Sequence, residues 1–566
     1  MRKIVALILL ILLTQPLVFA QKHAKAKSLT EEQRILHVLN RLGFGARPGD
    51  VARVKAMGLD NYINQQLNPE KITDTVAENK VRDLSVLNMP TAELYEKYPQ
   101  PGQLLRQLQA RGMLPAEMSE GSNQSQPPAN PLDNEKYRAV IQEYYRENGL
   151  QRPQRIIDEL QASRILRAVY SERQLQEVMV DFWTNHFNIF AGKGADRWLL
   201  PAYDRDTIRP NALGKFSTLL QATAQSPAML FYLDNFQSVS PNANQRRGSG
   251  LLRQMRPQPQ PQQQRRGINE NYARELMELH TLGVDGGYTQ KDVQEVARCF
   301  TGWTIFQPRG GAAAVNAMMG EANRRNPGTF FFNARVHDDG EKTVLGHKIP
   351  AGGGMKDGQM VLDILVHHPS TAKFIATKLV RHFVADTPPQ SLVDRVAATF
   401  TKSDGDIRET LKTIFFSKEF NSTEAYRVKI KRPFELVISA IRTLGADTNG
   451  GPGTHQWIAR MGEPLYGFQT PNGYSDAAES WVNTGGLLER MNFGLALANN
   501  RVQGTRVNLA KTNGEQAKVM DEYLNTLLAG DISAATREAL LKQLEPADPV
   551  TKVVGLILGT PEFQRQ

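Results

Sequence analysis

The chain has 566 residues, a single cysteine and a formal net charge of +10 at pH 7. One cysteine excludes an internal disulfide, so a chain of this length must be stabilised by buried apolar surface. Much of the positive charge lies in the six arginines between positions 236 and 268, where no acidic residue occurs. The rest of the chain is nearly neutral and the basic segment is poor in aromatic residues, which argues against nucleic-acid binding.

The first 20 residues are typical of a secretory signal peptide. Arg2 and Lys3 precede an apolar run from Ile4 to Leu13, and a short cleavage motif ends at Ala20. A membrane-spanning helix needs about 20 apolar residues, and no later run reaches that length. We therefore expect cleavage after Ala20, a periplasmic or extracellular location, and no transmembrane segment in the mature chain.

Amphipathic patterns predict helices along most of the chain. The first covers 29–42, where Thr30 and Gln33 have the spacing of a capping box. The second begins near Asp50, which can cap it, and ends at Gly58. The fold class is therefore mainly α. Further predicted helices are 155–169, 172–187, 288–300, 358–366, 371–384, 392–400, 406–416, 433–444 and 486–498.

Three low-complexity segments interrupt this pattern. They are too polar or too repetitive to contribute to a core, and we expect them to be disordered insertions in a large multi-helical single domain at 29–565. A small β-hairpin is expected within 329–349, because Asp339-Gly340 lies between two apolar runs. The insertions lie near 118–134, 236–268 and 307–328.

The predicted helix at 269–283 concentrates polar side chains on one face. On a helical wheel, His280 falls on the opposite, apolar face. Glu270, Arg274 and Glu275 are candidate catalytic residues, acting with His186 or His280, if the polar face lines a cleft. The alternative is a solvated charge network in which Glu270 and Arg274 form an ordinary i, i+4 pair. The polar face consists of Glu270, Asn271, Arg274, Glu275, Glu278 and Thr281.

Three histidines are candidate metal ligands. His186 points to the apolar side of its helix, as His280 does, and His337 lies in the expected hairpin. If the three meet in the core, they would form a site suited to zinc, copper or iron. The alternative is three separate core histidines with satisfied hydrogen bonds. Cys299, in an apolar-rich run, is expected to be an inert core residue.

A Pro-, Gly- and aromatic-rich segment occupies 463–474 and is followed by Trp481. Its aromatic rings could stack on a sugar, and local packing is the alternative. The chain contains no Gly-x-Ser-x-Gly elbow, no phosphate-binding loop and no dinucleotide fingerprint. Nucleophilic serine chemistry and nucleotide binding therefore have no support in the sequence.

Motifs spread along the chain resemble those of one bacterial family. They include Phe182-Trp-Thr-Asn-His-Phe187, Lys378-Leu-Val-Arg-His-Phe383 and Lys431-Arg-Pro-Phe-Glu435, and others lie at 39–45, 269–283, 300–303 and 481–483. These motifs and their order along the chain resemble those of the family named domain of unknown function 1800. The resemblance implies one long, predominantly helical domain in a secreted protein, and it implies no established activity or catalytic residue.

Two functions from different classes are compatible with these observations. The first is a non-catalytic envelope or extracellular binding or assembly protein, with a secreted protein or an envelope polymer as its partner. The second is a hydrolase or metal-dependent enzyme that acts on such a polymer. The enzyme requires carboxylates that line a concave site, and the binding protein does not.

Overall fold

Several helices begin at the capping side chains that the sequence supplies. The computed structural model describes residues 28–110, 112, 135–241, 267–306, 328–510 and 515–566. Thr30 and Gln33 exchange both hydrogen bonds of the predicted capping box. The side chains of Asn269 and Asp406 each accept a hydrogen bond from the first turn of a later helix. Asp50 was predicted to cap the second helix, but it is the first residue of that helix, and Gly49 is the N-cap.

The mainly α fold is confirmed: 25 α-helices account for most of the described chain. All nine helices predicted between positions 155 and 498 are present, with small shifts at their ends. The helices are α1 Glu31–Arg41, α2 Asp50–Met57, α3 Leu59–Gln66, α4 Thr75–Val81, α5 Thr91–Lys97, α6 Pro101–Ala110, α7 Glu135–Glu147, α8 Gln154–Tyr170, α9 Gln174–His186, α10 Asp196–Ala202, α11 Phe216–Gln225, α12 Pro227–Tyr232, α13 Glu270–Met277, α14 Gln290–Cys299, α15 Met355–His367, α16 Pro369–Phe383, α17 Gln390–Lys402, α18 Ile407–Phe415, α19 Pro433–Thr443, α20 Pro452–Arg460, α21 Thr484–Ala498, α22 Gln516–Leu528, α23 Ala534–Lys542, α24 Val550–Leu558 and α25 Pro561–Gln564.

The predicted helix at 269–283 changes its winding halfway along. It is an α-helix to Met277, and Glu278–Leu282 then form a π-helix that ends at Gly283. The wider π turn rotates each residue by less than an α turn does. His280 is buried as the wheel predicts, but the wheel is wrong for Thr281, which is fully buried and donates a hydrogen bond to the Leu276 carbonyl oxygen at 2.7 Å.

Three two-stranded antiparallel sheets complete the described fold. They pair β1 Trp303–Ile305 with β2 Phe330–Phe332, β3 Lys342–Val344 with β4 His347–Ile349, and β5 Asp447–Thr448 with β6 Thr505–Arg506.

The β-hairpin exists, but its predicted turn at Asp339-Gly340 is wrong. The β3–β4 hairpin turns at Leu345 and Gly346, which both have positive φ, as a type I′ turn requires. Asp338 instead binds Arg298 and accepts a hydrogen bond from the Gly340 N–H, which holds the Asp-Gly segment as a loop.

One contiguous cluster of buried apolar side chains extends from Ile35 in α1 to Phe563 in α25. Within it α16 packs against α17 and the π segment, α8 packs against α19, and α21 packs against α24. The C-terminal residue Gln566 pairs through its backbone with Lys429, just before α19. Both ends of the described chain therefore join the same core.

The expected signal peptide and most of the three low-complexity segments lie outside the described residues, so the cleavage of the first and the disorder of the others remain predictions. Across the described ranges, every helix is too short or too polar to cross a lipid bilayer. Cys299 is fully buried, and burial raises the pKa of its thiol to about 12. It has the environment expected of an inert core residue.

Candidate functional site

The acidic face of α13 forms a network with the start of α14. The Gln290 amide donates to Glu270 Oε2 at 2.6 Å, and Arg274 Nη2 donates to Gln290 Oε1 at 2.8 Å. Gln290 thus bridges the two charged groups that were expected to pair directly. Glu278 accepts a hydrogen bond from the Tyr288 hydroxyl at 2.8 Å. This arrangement favours the charge-network alternative for the segment.

Glu275 is half-buried on this face. Burial and the neighbouring Glu278 raise the pKa of the Glu275 carboxyl above its ordinary value. Glu270, Arg274 and Glu275 do not line the cleft formed by the loop 462–481. Their catalytic role stays a prediction.

Two of the three candidate metal-binding histidines meet. The rings of His186 and His280 lie 6.2 Å apart, and His186 Nε2 donates to the His280 carbonyl oxygen at 3.1 Å. His337 lies elsewhere, with Nδ1 at 2.7 Å from the Thr301 carbonyl oxygen and Nε2 at 3.1 Å from Asp357 Oδ2. Within the described ranges no group of three or more His, Cys, Asp or Glu side chains is arranged to hold a metal ion. The geometry therefore gives the three histidines no common metal site.

A cleft of about 1050 Å³ opens beside His186. One wall is the loop 462–481, which contains the Pro-, Gly- and aromatic-rich segment. The other is formed by Asn185 of α9, by Lys378 and Arg381 of α16, and by Asp386. Exposed amides and hydroxyls of the loop face this space, and they are those of Gln469, Thr470, Asn472, Ser475 and Ser480.

The loop is held in place by amide side chains of α9 and its C-terminal extension. Asn185 donates to the Tyr474 carbonyl oxygen at 2.8 Å and accepts from the Tyr474 N–H at 2.7 Å. Asn188 donates to the carbonyl oxygens of Phe468 and Thr470. Gly473 has a φ of 71°, and a Cβ there would collide with the Asn185 carbonyl oxygen. The loop therefore has one defined path along the cleft.

The aromatic residues of the loop pack mainly on each other. The Phe468 and Tyr474 rings lie 4.5 Å apart, and the Tyr474 and Trp481 rings lie 5.9 Å apart. The Trp481 indole N–H donates to the Ser475 carbonyl oxygen at 2.9 Å, and its side chain is buried. Local packing accounts for Trp481, whereas Phe468 and Tyr474 keep part of their surface exposed to the cleft.

Buried charges anchor the loop to the core below the cleft. Arg432 Nη1 lies 2.8 Å from Glu463 Oε1, and Nη2 pairs with Asp181 of α9. Asp181 also pairs with Arg164 of α8. Each of these side chains is buried, as is Glu435, which accepts from the Arg432 N–H at 2.7 Å. Since a buried charge is tolerated only when it is paired, this cluster ties three helices and the loop together.

The two aspartates of the cleft already have partners. Asp386 lies 2.6 Å from Lys429 Nζ and accepts a hydrogen bond from the Ala478 N–H. Asp476 Oδ1 lies 3.1 Å from His382 Nδ1. Burial opposes ionisation of Asp476, but His382 and the charges of Lys429 and Arg432 outweigh it and hold the pKa of that carboxyl below its ordinary value. Asp476 is therefore suited to stay ionised, and both carboxylates hold the cleft together through these partners.

The two cations of α16 differ from the aspartates. Lys378 and Arg381 are one turn apart on the helix, and neither forms an ion pair with any described carboxylate. Lys378 Nζ lies 2.9 Å from His186 Nδ1, and Arg381 Nε donates to the Asp386 carbonyl oxygen at 3.2 Å. Burial lowers the pKa of Lys378 to about 8. The cleft thus presents two cationic groups that pair directly with no described carboxylate, although the Asp476 charge acts on Lys378 and the exposed Glu479 also lines the cleft.

The sequence analysis identified the segment that contains these cations as a family motif, but it did not predict that they line a site. Lys378 and Arg381 belong to the segment 378–383, and no catalytic spacing distinguishes them from solvated surface charges. Their only local signal is a lysine and a histidine within the apolar stripe of a helix, at Lys378 and His382. Lys378 contacts His186, which is 192 residues away, and His382 contacts Asp476, which is 94 residues away. A local sequence pattern does not reveal such contacts.

Comparison with known proteins gives a family and no activity. No curated protein and no solved structure matches the chain. Residues from the motifs at 182–187, 378–383 and 431–435 surround the cleft or its floor. The sequence model of the family described as a protein of unknown function (DUF1800) matches residues 37–565. The chain therefore belongs to this family.

Proposed function

We propose that the protein is a secreted envelope or extracellular binding protein whose cleft holds an acidic polysaccharide. The observation that carries the proposal is the pair Lys378 and Arg381, two cations without a carboxylate partner among the described residues. An anionic ligand would supply a direct partner for both groups. A guanidinium matches a carboxylate in shape and can bind it through two parallel hydrogen bonds.

The walls of the cleft favour a hydroxyl-rich ligand. Exposed amide and hydroxyl groups of the loop 462–481 can exchange hydrogen bonds with sugar hydroxyls, and the half-buried rings of Phe468 and Tyr474 offer apolar edges. A volume of about 1050 Å³ is at the upper end for a small-molecule pocket, so an extended ligand fits better than a compact one. A polymer with acidic groups combines these requirements.

Binding to immobilised polysaccharides tests the proposal. The wild-type protein should be retained by a polyuronate and not by a neutral dextran, and retention should fall as salt is raised because the contact is ionic. The double variant Lys378→Gln, Arg381→Gln should lose retention. Lys373→Gln is the matched control, since Lys373 is exposed on the same helix and does not line the cleft. Equal retention of wild type and double variant would refute the assignment of the site.

The expected location has a separate test. If the N-terminal segment is a signal peptide, protein recovered from outside the cytoplasm should begin at Gln21. Recovery of cytoplasmic protein that begins at Met1 would contradict secretion and leave the cleft assignment intact.

A further inference from the structure

The hydrogen bonds of His186 fix which of its nitrogens carries the proton. A carbonyl oxygen only accepts, so the Nε2 that contacts the His280 carbonyl oxygen must be the N–H. Burial holds the pKa of His186 well below its ordinary value, with Lys378 and His280 contributing, so the ring is neutral. Nδ1 then has a free lone pair and accepts a hydrogen from Lys378 Nζ at 2.9 Å.

Lys378 is consequently an oriented amine at the edge of the cleft. One of its hydrogens is directed to His186, and Nζ lies 5.6 Å from the centre of the Phe374 ring. Burial lowers its pKa first, the Arg381 charge adds to this, and Asp476 partly opposes it. At mildly alkaline pH, around its pKa of about 8, a substantial fraction of the amine is unprotonated, which makes it available as a base.

Arg381 lies beside that amine with its outer nitrogens unoccupied by any described carboxylate. Residues three apart on a helix are neighbours, with Cβ atoms roughly 5–6 Å apart. Nε donates to the Asp386 carbonyl oxygen at 3.2 Å, and Arg381 and Lys378 both line the cleft. A carboxylate bound by Arg381 would therefore lie in the same part of the cleft as the Lys378 amine.

We propose that the cleft cleaves uronate-containing polysaccharides by β-elimination, with Lys378 as the base and Arg381 as the group that binds the uronate carboxylate. This rests on the proposed function, because it requires that an acidic polysaccharide occupies the cleft. It adds the class of substrate and the reaction.

The reaction needs no co-reactant. Lys378 Nζ takes the proton from C5, the carbon that bears the carboxylate, and the electrons of that C–H bond form a C4=C5 double bond. The C4–O bond breaks, and its electrons leave with the oxygen of the neighbouring sugar, which takes a proton from water. The ammonium of Lys378 then returns its proton to solvent. Arg381 stabilises the negative charge that develops on the carboxylate when C5 loses its proton.

Hydrolysis fits the cleft less well. Glycoside hydrolysis ordinarily needs two carboxyl groups, one of them kept protonated by a raised pKa. Here Asp476 has a lowered pKa, and Asp386 is bound by Lys429 and the Ala478 N–H. Neither is placed as a proton donor, and the third carboxylate of the lining, Glu479, is exposed on the cleft loop. An oriented amine beside a guanidinium that has no carboxylate partner matches the two roles of an elimination.

The test uses the full chain with polygalacturonate and alginate as substrates and dextran as the neutral control. Elimination creates a double bond conjugated to a carboxylate, which absorbs ultraviolet light, while hydrolysis creates reducing ends without that absorbance. Wild type should release the absorbing product from at least one polyuronate. The rate should rise with pH and level off above about 8, where Lys378 becomes unprotonated. His186, His280, Arg381 and Asp476 are the titratable or charged groups that surround this amine.

Variants separate the base from the binding group. Lys378→Arg keeps the cation and removes the base, so the turnover rate should fall about a hundredfold or more while binding persists. Arg381→Gln should weaken binding and raise KM. Lys373→Gln should match wild type, and His186→Gln should shift the pH profile because it changes the acceptor that holds the amine.

Each outcome has a defined consequence. Binding of a polyuronate without absorbing product overturns the elimination and leaves the proposed binding function standing. Absence of binding to both polyuronates overturns both. Reducing ends without absorbance identify hydrolysis and overturn the elimination, and full activity of Lys378→Arg overturns the assignment of the base.

Discussion

Replacing Arg432 with methionine tests how the cleft is held to the core. The guanidinium of Arg432 pairs with Asp181 in α9 and with Glu463 at the start of the cleft loop, and all three side chains are buried. Methionine keeps much of the apolar stem and removes the charge. The variant thus leaves two buried carboxylates without their main cation.

The size of the expected loss in stability depends on the partners that Asp181 and Glu463 retain. Removing one partner of a buried ion pair costs about 3–5 kcal/mol, because the other charge stays buried. Asp181 keeps Arg164 and Glu463 keeps the Phe434 N–H at 2.8 Å, so the two losses do not add in full. We expect Arg432→Met to lower the free energy of unfolding by about 3–5 kcal/mol.

Urea unfolding followed by tryptophan fluorescence measures this loss. Arg395→Met is the matched control, since its partner Glu419 lies 2.7 Å away and the arginine side chain is 46% exposed. That pair should contribute no more than about 1 kcal/mol. The double variant Arg432→Met, Glu463→Gln should recover part of the loss, because position 463 then carries no unpaired charge and Asp181 keeps its pair with Arg164. Equal, small losses for Arg432→Met and Arg395→Met would refute the reasoning.

Three further predictions concern single residues. Gly473→Ala should lower the free energy of unfolding by about 1–3 kcal/mol and weaken polyuronate binding, because the φ of Gly473 is positive and an added Cβ would collide with the Asn185 carbonyl oxygen. Gly346→Ala is the control: Gly346 has a similar φ, but no atom lies near the added Cβ, so this variant should lose less stability and bind as wild type does. Asp196 is fully buried without a hydrogen-bond partner for either oxygen, and burial raises the pKa of its carboxyl well above the ordinary value. Because the folded state holds this proton after the unfolded chain has lost it, stability should fall as pH rises above about 4, and Asp196→Asn should reduce that fall in thermal unfolding. Cys299 should resist iodoacetamide in the native protein and react after unfolding, and rapid native labelling would contradict its burial.

The sequence predicted those features that depend on neighbouring residues. The capping box at Thr30 and Gln33 formed because both partners lie within one turn. The burial of His280 followed from helical periodicity. Local signals failed where tertiary contacts compete, as at Asp339-Gly340, where the Asp338 contact with Arg298 replaces the expected turn.

The candidate site was less predictable than the fold. The π turn at Glu278–Leu282 has no sequence signature here, yet it changes which residues face the core. The Lys378 contact with His186 depends on the packing of α16 against the π segment and on the position of α16 beside the last residue of α9. The loop at 463–474 was singled out for sugar stacking, but its companion Trp481 is buried, and its part in the cleft comes from polar groups as well as rings.

The affinity of the cleft for an acidic oligosaccharide tests the central claim most directly. Isothermal titration should compare a short oligouronate with a neutral oligosaccharide of equal length, using wild type and Lys378→Gln, Arg381→Gln. A hydrogen bond to a charged group contributes about 1.5–3 kcal/mol, so loss of both cations should weaken oligouronate binding by about a hundredfold or more. We expect this loss together with negligible binding of the neutral sugar. Equal affinity of both proteins for the oligouronate, or equal affinity of wild type for both sugars, would contradict an acidic-polymer site at Lys378 and Arg381.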